Sequence, residues 1–270
     1  MYLVFDIGGT HLRMGVSGDG GELDKVEVLH TPQGFEEAME LIKVTAEKLT
    51  GGEKVEAAAG GVAGALHKTK TFLEGARNLP EWIEQPLKER LQKIIGAPVF
   101  LENDAAMGGL GEAVYGAGKG GEIVAFLTVG TGVGGSRITG GKIDQNALGF
   151  EPGKQIISLS PMATLEDLIS GKAIEKEYKK KPEEIVDDPD YWDGIAKKLA
   201  VGLNNIAIFW SPSVIVLGGS VVKSLNFESI ERYFKEILTV FTDLPKLKVA
   251  SLDDLSGLYG SLSYLKQKAS

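Results

Sequence analysis

The 270-residue chain has no cysteine. That excludes disulfides, a thiol nucleophile and any cysteinyl zinc centre. Histidine is scarce too: His11, His30 and His67 show no pair at metal-ligand spacing. Positive charge is in the minority, with 29 Lys and Arg against 37 Asp and Glu and a net charge of -8. A nucleic-acid partner, which would need a basic face, is therefore not expected. No uninterrupted apolar run approaches the roughly 18 residues of a membrane helix, so no membrane partner is expected either. The first residues read as a strand with an early Asp6 rather than as a signal peptide, and the cytoplasm is the expected address. A hydrophobic content of 43% supports one large or two moderate globular domains.

Glycine, by contrast, is plentiful at 36 residues, clustered in short turns. The front half reads as three strands, a helix, a strand, a helix and a strand. Phe35, Ala38, Met39, Ile42, Ala46 and Leu49 mark the first helix, "LPEWIEQPLKERLQKIIG" the second and "APVFLEND" the last strand. The second half repeats the order. Strands "IVAFLTVG" and "GGSRITG" and a short third precede one helix, "TLEDLISGKAIEKEYKK". A long helix follows with Trp192, Ile195, Ala196, Leu199, Leu203, Ile206 and Trp210 on one stripe. The strand "SVIVLGGSVV", the helix "FESIERYFKEILTVF", the strand "KLKVAS" and a C-terminal helix close the chain. Two βββαβα-like halves point to an α/β duplication with a central cleft.

"VFDIGGTHLRMGV" brings a strand to Asp6 and then to a turn nearly bare of side chains. Successive backbone N–H groups in such a turn form an anion nest, and glycine lets them approach the anion. Asp6 fits a Mg2+ ligand, direct or through water, with Gly8, Gly9 and Thr10 on the phosphates of a nucleotide. "TVGTGVGG" offers a second cradle, and "LGGS" a third glycine turn where a base could lie flat. Each alone also fits a plain tight hairpin. "GTGVGG" matches the dinucleotide fingerprint G-x-G-x-x-G, with Glu151 at a suitable distance, but "SRITGGKI" reads as a hairpin instead of the required helix. "GAGKGG" lacks the Ser or Thr of a P-loop.

Taken together, "FDIGGTHLRMGV", "LENDAAMGGLGE", "TVGTGVGGSRITGGKI", "TLEDLISGKAI" and "SPSVIVLGGSVV", in that order, resemble the ROK family of sugar kinases. That family lies in the actin/hexokinase/Hsp70-like superfamily, and the resemblance covers essentially the whole chain. It implies a two-lobed, ribonuclease-H-like α/β duplication. Residues 1–105 would form a small lobe, joined by a C-terminal helix at about 256–270, and residues 106–255 a large lobe. It implies an ATP-dependent, Mg2+-requiring hexose kinase, glucokinase-like, acting on a sugar hydroxyl, the 6-hydroxyl first. Kinases for N-acetylmannosamine, N-acetylglucosamine or fructose are alternatives, and a non-catalytic sugar sensor is the reading from another class. Family repressors carry an N-terminal helix-turn-helix. This chain starts at the first strand, which favours the kinase branch.

By that resemblance Asp6, Gly8, Gly9 and Thr10 form the first phosphate motif, Thr131, Gly132 and Gly134 the second, and Gly218 and Gly219 the adenosine motif. Asn103 and Asp104 hold the sugar, and Asp104 takes the catalytic-base position, although a helix N-cap also fits it. Glu151, Glu166, Gly64 and Asn78 are further sugar contacts. Lys154 stands where the family has a histidine shared between zinc and sugar, and Ala106 where it often has Asn. With no cysteine either, the family's structural zinc is expected to be gone and "QIISLSPMA" to replace its loop by apolar packing. The apolar C-terminal helix, with "GLYGSLSYL", fits either a core or a homodimer surface.

These departures predict a protein that needs Mg2+ for activity and no zinc to fold, since a structural zinc site takes about four Cys or His ligands. Metal analysis of protein purified without added metal checks this, and stoichiometric zinc would refute it.

Overall fold

The computed structural model describes residues 1–185 and 188–269. The chain divides into two compact units, one of residues 1–116, 147–149 and 254–270, the other of residues 117–146 and 150–253. The division falls after Gly116 rather than at residue 105. The reason is the helix Asp104–Val114, which packs along the C-terminal helix Ser256–Ala269 of the first unit.

The first unit contains β1 (Tyr2–Ile7), β2 (His11–Ser17), β3 (Lys25–His30), α1 (Phe35–Thr50) and β4 (Ala57–Val62). A small hairpin of β5 (Ala65–Leu66) and β6 (Leu73–Gly75) follows, then α2 (Leu87–Ile95), β7 (Val99–Asn103) and α3 (Asp104–Val114). Its sheet has the order β3-β2-β1-β4-β7, with β1 antiparallel to β2 and parallel to β4. Central strand β1 carries Leu3, Val4, Phe5 and Ile7 in full burial, as a strand covered on both faces requires. Helix α1 buries Phe35, Ala38, Met39, Ile42, Ala46 and Leu49 and ends at left-handed Gly51. Each large side chain so buried contributes about 1.5–3 kcal/mol. The expected second helix starts late, at Leu87, because Pro80 and Pro86 break "LPEWIEQP" into a 3-10 turn and an irregular step.

The second unit holds β8 (Ile123–Val129), β9 (Val133–Thr139), β10 (Lys142–Ile143), β11 (Ile156–Leu159) and β12 (Met162–Thr164). Then come α4 (Leu165–Ile169), α5 (Gly171–Tyr178), α6 (Pro189–Trp210), β13 (Val214–Gly218), α7 (Phe227–Ile237) and β14 (Lys246–Val249). Its sheet, β10-β9-β8-β13-β14, repeats the order and strand directions of the first. The duplication expected from the sequence is therefore present. Helix α6 buries Trp192, Ile195, Ala196, Leu199, Leu203 and Ile206.

Three expectations need correction. "TLEDLISGKAIEKEYKK" forms two helices, because Ser170 is extended, caps α5 through its side chain and frees the Gly171 amide for Gly130. Helix α7 stops at Ile237, before β-branched Thr239 and Val240. The segment "QIISLSPMA" is a hairpin with Ile156, Leu159 and Met162 exposed, not a packed apolar loop. A two-stranded ribbon can turn one face to a core, and here Ile157 takes that face.

The C-terminal helix Ser256–Ala269, α8, buries Leu258, Leu262 and Leu265 within the first unit. It meets α3 backbone to backbone. A Cβ on Gly260 would overlap the Met107 carbonyl, and one on Gly111 the Ser256 carbonyl. Gly260→Ala should therefore cost about 1–3 kcal/mol. Gly194→Ala, in α6 with open space around it, should gain about 0.5–1 kcal/mol. Urea midpoints check both, and a neutral Gly260→Ala would show that the helices do not cross so closely.

Candidate active site

In the first unit the turn after β1 is closed by the Gly8 amide donating to the His11 carbonyl at 2.9 Å. It is fixed from outside by residues that the motif does not contain. Thr31 Oγ1 donates to the Gly8 carbonyl at 2.8 Å, the Thr31 amide to the Thr10 carbonyl at 2.9 Å, and Gln33 Nε2 to the Gly9 carbonyl at 3.3 Å. Strand pairing delivers them: His11 is the register partner of His30, so the chain leaving β3 runs beside the turn. Asn78 lies against the same turn, where a Cβ on Gly9 would come within 2.5 Å of the Asn78 Cβ. Sequence reading placed Gly8, Gly9, Thr10 and Asn78 but missed Thr31 and Gln33, which only the register reveals.

Asp6 lies one residue before the end of β1, with its side chain 17% exposed. Burial pushes its pKa up to about 7, and the nearby charge of Asp104 adds to the rise. Arg13, its partner across β1 and β2, pulls the other way from 3.9 Å but also holds Asp254 at 3.1 Å. Two glycines let the carboxylates come close. A Cβ on Gly61 would stand 2.9 Å from the Asp104 Cα, and one on Gly257 2.8 Å from the Asp6 Cγ.

Asp104 is the first residue of α3, and the N-cap is Asn103 instead, which corrects the capping alternative for Asp104. Asn103 Oδ1 accepts from the Ala106 amide at 3.1 Å, and its Nδ2 donates to the Gly64 carbonyl at 3.1 Å. Gly64 has φ of 129°, and a Cβ there would meet the Gly75 carbonyl at 2.7 Å, so only glycine suits it. Buried Glu102 accepts from the Asn103 amide at 3.0 Å and pairs with Lys70 from the β5–β6 hairpin. Nothing in the sequence singled out Lys70 or Glu102.

In the second unit the β8–β9 turn is closed by the Gly130 amide donating to the Gly132 carbonyl at 2.9 Å, and it leaves Thr131 exposed. Gly134 lies within β9, opposite Thr128. Gly218 ends β13 and Gly219 has φ of 94°, its Cα packed against the Val129 carbonyl, which accepts from the Val221 amide at 3.0 Å. The structure thus brings the "LGGS" turn to the end of β8. Glu166, in the first turn of α4, accepts from the Val133 amide at 2.9 Å and from Lys154 Nζ at 2.5 Å. Burial holds the Glu151 carboxyl above its usual range. Lys154 lowers it and Glu166 raises it, so the three candidates share one electrostatic neighbourhood.

The ROK family model matches residues 2–268, and the chain belongs to the ROK family. A glucokinase from Streptomyces coelicolor is 27% identical, the match covering 97% of this chain and 96% of that protein. The crystal structure of a ROK hexokinase from Thermus thermophilus superposes with a TM-score of 0.83 at 29% identity, covering 100% of this chain and 99% of that one. A ROK family glucokinase from Streptomyces griseus, solved with glucose and AMPPNP, gives 0.82 at 27% identity over 98% and 99%. The two-lobed α/β duplication is accordingly that of the actin/hexokinase-like fold.

A carboxyl raised from near 3.9 in the unfolded chain to about 7 in the folded one makes the folded protein bind the extra proton between those values. Its contribution to stability therefore falls as pH rises through that window. Asp6→Asn should melt with wild type at pH 4 and above it at pH 8, measured by calorimetry in EDTA. A difference independent of pH would refute the raised pKa.

Proposed function

We propose that the protein is an ATP-dependent hexose kinase, glucokinase-like, which transfers the γ-phosphoryl group to a sugar hydroxyl, the 6-hydroxyl first. The observation that carries this reading is the placement of Asp104. It begins α3 beside Asp6, next to a glycine turn with Asn78 against it. Phosphoryl transfer asks for positioning, charge neutralisation and a group to receive the hydroxyl proton. Asp104 is that group, a general base within a frame made by Asn103 and Gly64. The turn over Gly8, Gly9 and Thr10 binds phosphate through backbone amides, Thr131, Gly132 and Gly134 are the second set of proposed phosphate contacts, and Gly218 and Gly219 take the adenosine.

Mg2+ fits the residues. Among the described residues no group of three or more His, Cys, Asp or Glu could hold a metal by itself. Mg2+ commonly takes one or two carboxylates and completes its shell with substrate phosphates and water. Asp6 would hold it, and two neighbouring carboxylates, one with a raised proton affinity, are a place that gains from a cation. When bound, Mg2+ supplies charge neutralisation on the phosphates. For the sugar, the proposed contacts are Gly64, Asn78, Asn103, Asp104, Glu151, Lys154 and Glu166. Asn103 also bonds Gly64 and Ala106 through its amide, and so positions the start of α3 in addition to its proposed contact.

ADP release measured with glucose, fructose, N-acetylglucosamine and N-acetylmannosamine tests the reading and ranks the acceptors. Sugar binding without ADP release from any of them would instead favour a sensor. Asp104→Asn keeps the shape and removes the base, and turnover should fall about 10²–10⁴-fold with nucleotide affinity nearly unchanged. A variant with near-normal kcat would sink the base assignment.

A further inference from the structure

Glu166 is 12% exposed and commits its two carboxylate oxygens to different segments of the second unit. Oε2 accepts from the amide of Val133, the first residue after the Gly130–Gly132 turn. Oε1 accepts from Nζ of Lys154, which ends the 3-10 turn following Glu151. Packing keeps both segments in place. A Cβ on Gly132 would meet Glu166 Oε2 at 2.8 Å, and one on Gly153 would overlap the Val133 carbonyl. The start of α5 holds the same turn from its other side. There the Gly171 amide donates to the Gly130 carbonyl at 2.7 Å, and the Lys172 amide to the Thr131 carbonyl at 3.4 Å.

Two consequences follow from this geometry. With the Val133 amide turned to Glu166, the turn amides left to face a phosphate are those of Thr131 and Gly132. A carboxylate so near a phosphate turn also repels the anion unless its charge is balanced. Lys154 balances it, and serves Glu151 as well, whose proton affinity it lowers.

We propose that Lys154 and Glu166 are positioning residues of the second phosphate turn. Glu166 shapes the turn through the Val133 amide, and Lys154 cancels the carboxylate's charge toward the nucleotide. The pair thereby makes nucleotide affinity depend on the Glu151–Lys154 loop. This rests on the turn binding nucleotide phosphates, as proposed above.

The test uses the whole protein without sugar, AMPPNP as probe, calorimetry for Kd and amide hydrogen exchange for the segment 130–133. Lys154→Met should weaken AMPPNP binding about two- to fivefold at low ionic strength, the size of a half-exposed ion pair's contribution, and speed exchange of the Val133 amide. Lys154→Arg should restore both. The affinity loss should shrink in high salt, and the double variant Lys154→Met with Glu166→Gln should recover affinity, since it removes the unbalanced charge. A Lys154→Met protein with wild-type Kd and wild-type Val133 exchange overturns the proposal. So does a weakening that neither Arg at 154 nor Gln at 166 repairs. Wild type that binds no AMPPNP would sink the nucleotide reading instead, while exchange at Val133 still reports on the pair.

Discussion

The constraint on which the first unit depends is the burial of one carboxylate beside another. Asp6 lies one residue before the end of the central strand, Asp104 begins α3, and the charge of Asp104 makes the ionisation of Asp6 costlier. Folding alone would not choose that arrangement. It is tolerated because Arg13 stands opposite Asp6 in the strand pair, and because Gly61 and Gly257 let α3 and α8 come close. Arg13 neutralises incompletely. At 3.9 Å from Asp6 and 3.1 Å from exposed Asp254, its charge is divided, and Asp6 stays near neutrality in its proton affinity. A site kept short of positive charge in this way gains most when a cation arrives with its ligand.

Glycine makes the geometry possible in both units by letting backbones touch. Phe5 lies over Gly60 on the neighbouring strand, Gly260 meets the Met107 carbonyl, and Gly219 meets the Val129 carbonyl. The first contact lies between neighbouring strands and the second between α8 and α3, and only the third, of Gly219 with Val129, falls where a strand gives way to a turn. The repeated strand order sets these turns at equivalent positions, after β1 in one unit and after β8 in the other. Close packing at such contacts leaves little room to adjust, which suits turns that must present amides in one arrangement.

The elements with strong periodicity were legible in the sequence. The stripe on α6, the face of α1 and the apolar run of β13 are all where the pattern puts them, because a buried face must repeat at the period of its element. Breaks were less legible. Ser170 divides α4 from α5 although "LISGKAI" continues a helical pattern, because the Gly171 amide is drawn to Gly130, a contact some forty residues back that no local rule contains. The exposed hairpin at Ile156 to Thr164 misled for a related reason. Its apolar residues look like core, and only the absence, among the described residues, of a third strand beside β11 and β12 shows otherwise.

The candidate site shows the same division between motif and support. Gly8, Gly9, Thr10, Asn103 and Asp104 could be named as candidates directly, since they lie in short contiguous stretches. Thr31, Gln33, Lys70 and Glu102 could not, because they act on those stretches from other strands and loops. Their bonds explain why the motif residues are held at all. A bare glycine turn would sample many conformations and lose entropy on meeting a phosphate. Thr31 and Gln33 spend that entropy during folding by fixing the Gly8 and Gly9 carbonyls, so the amides of the turn are oriented before any ligand binds. Asn103 does the equivalent for Asp104, since its cap to Ala106 and its bond to Gly64 set the first turn of α3. In the proposed phosphate site, recognition therefore rests as much on the carbonyls that are held from behind as on the groups that would face the ligand.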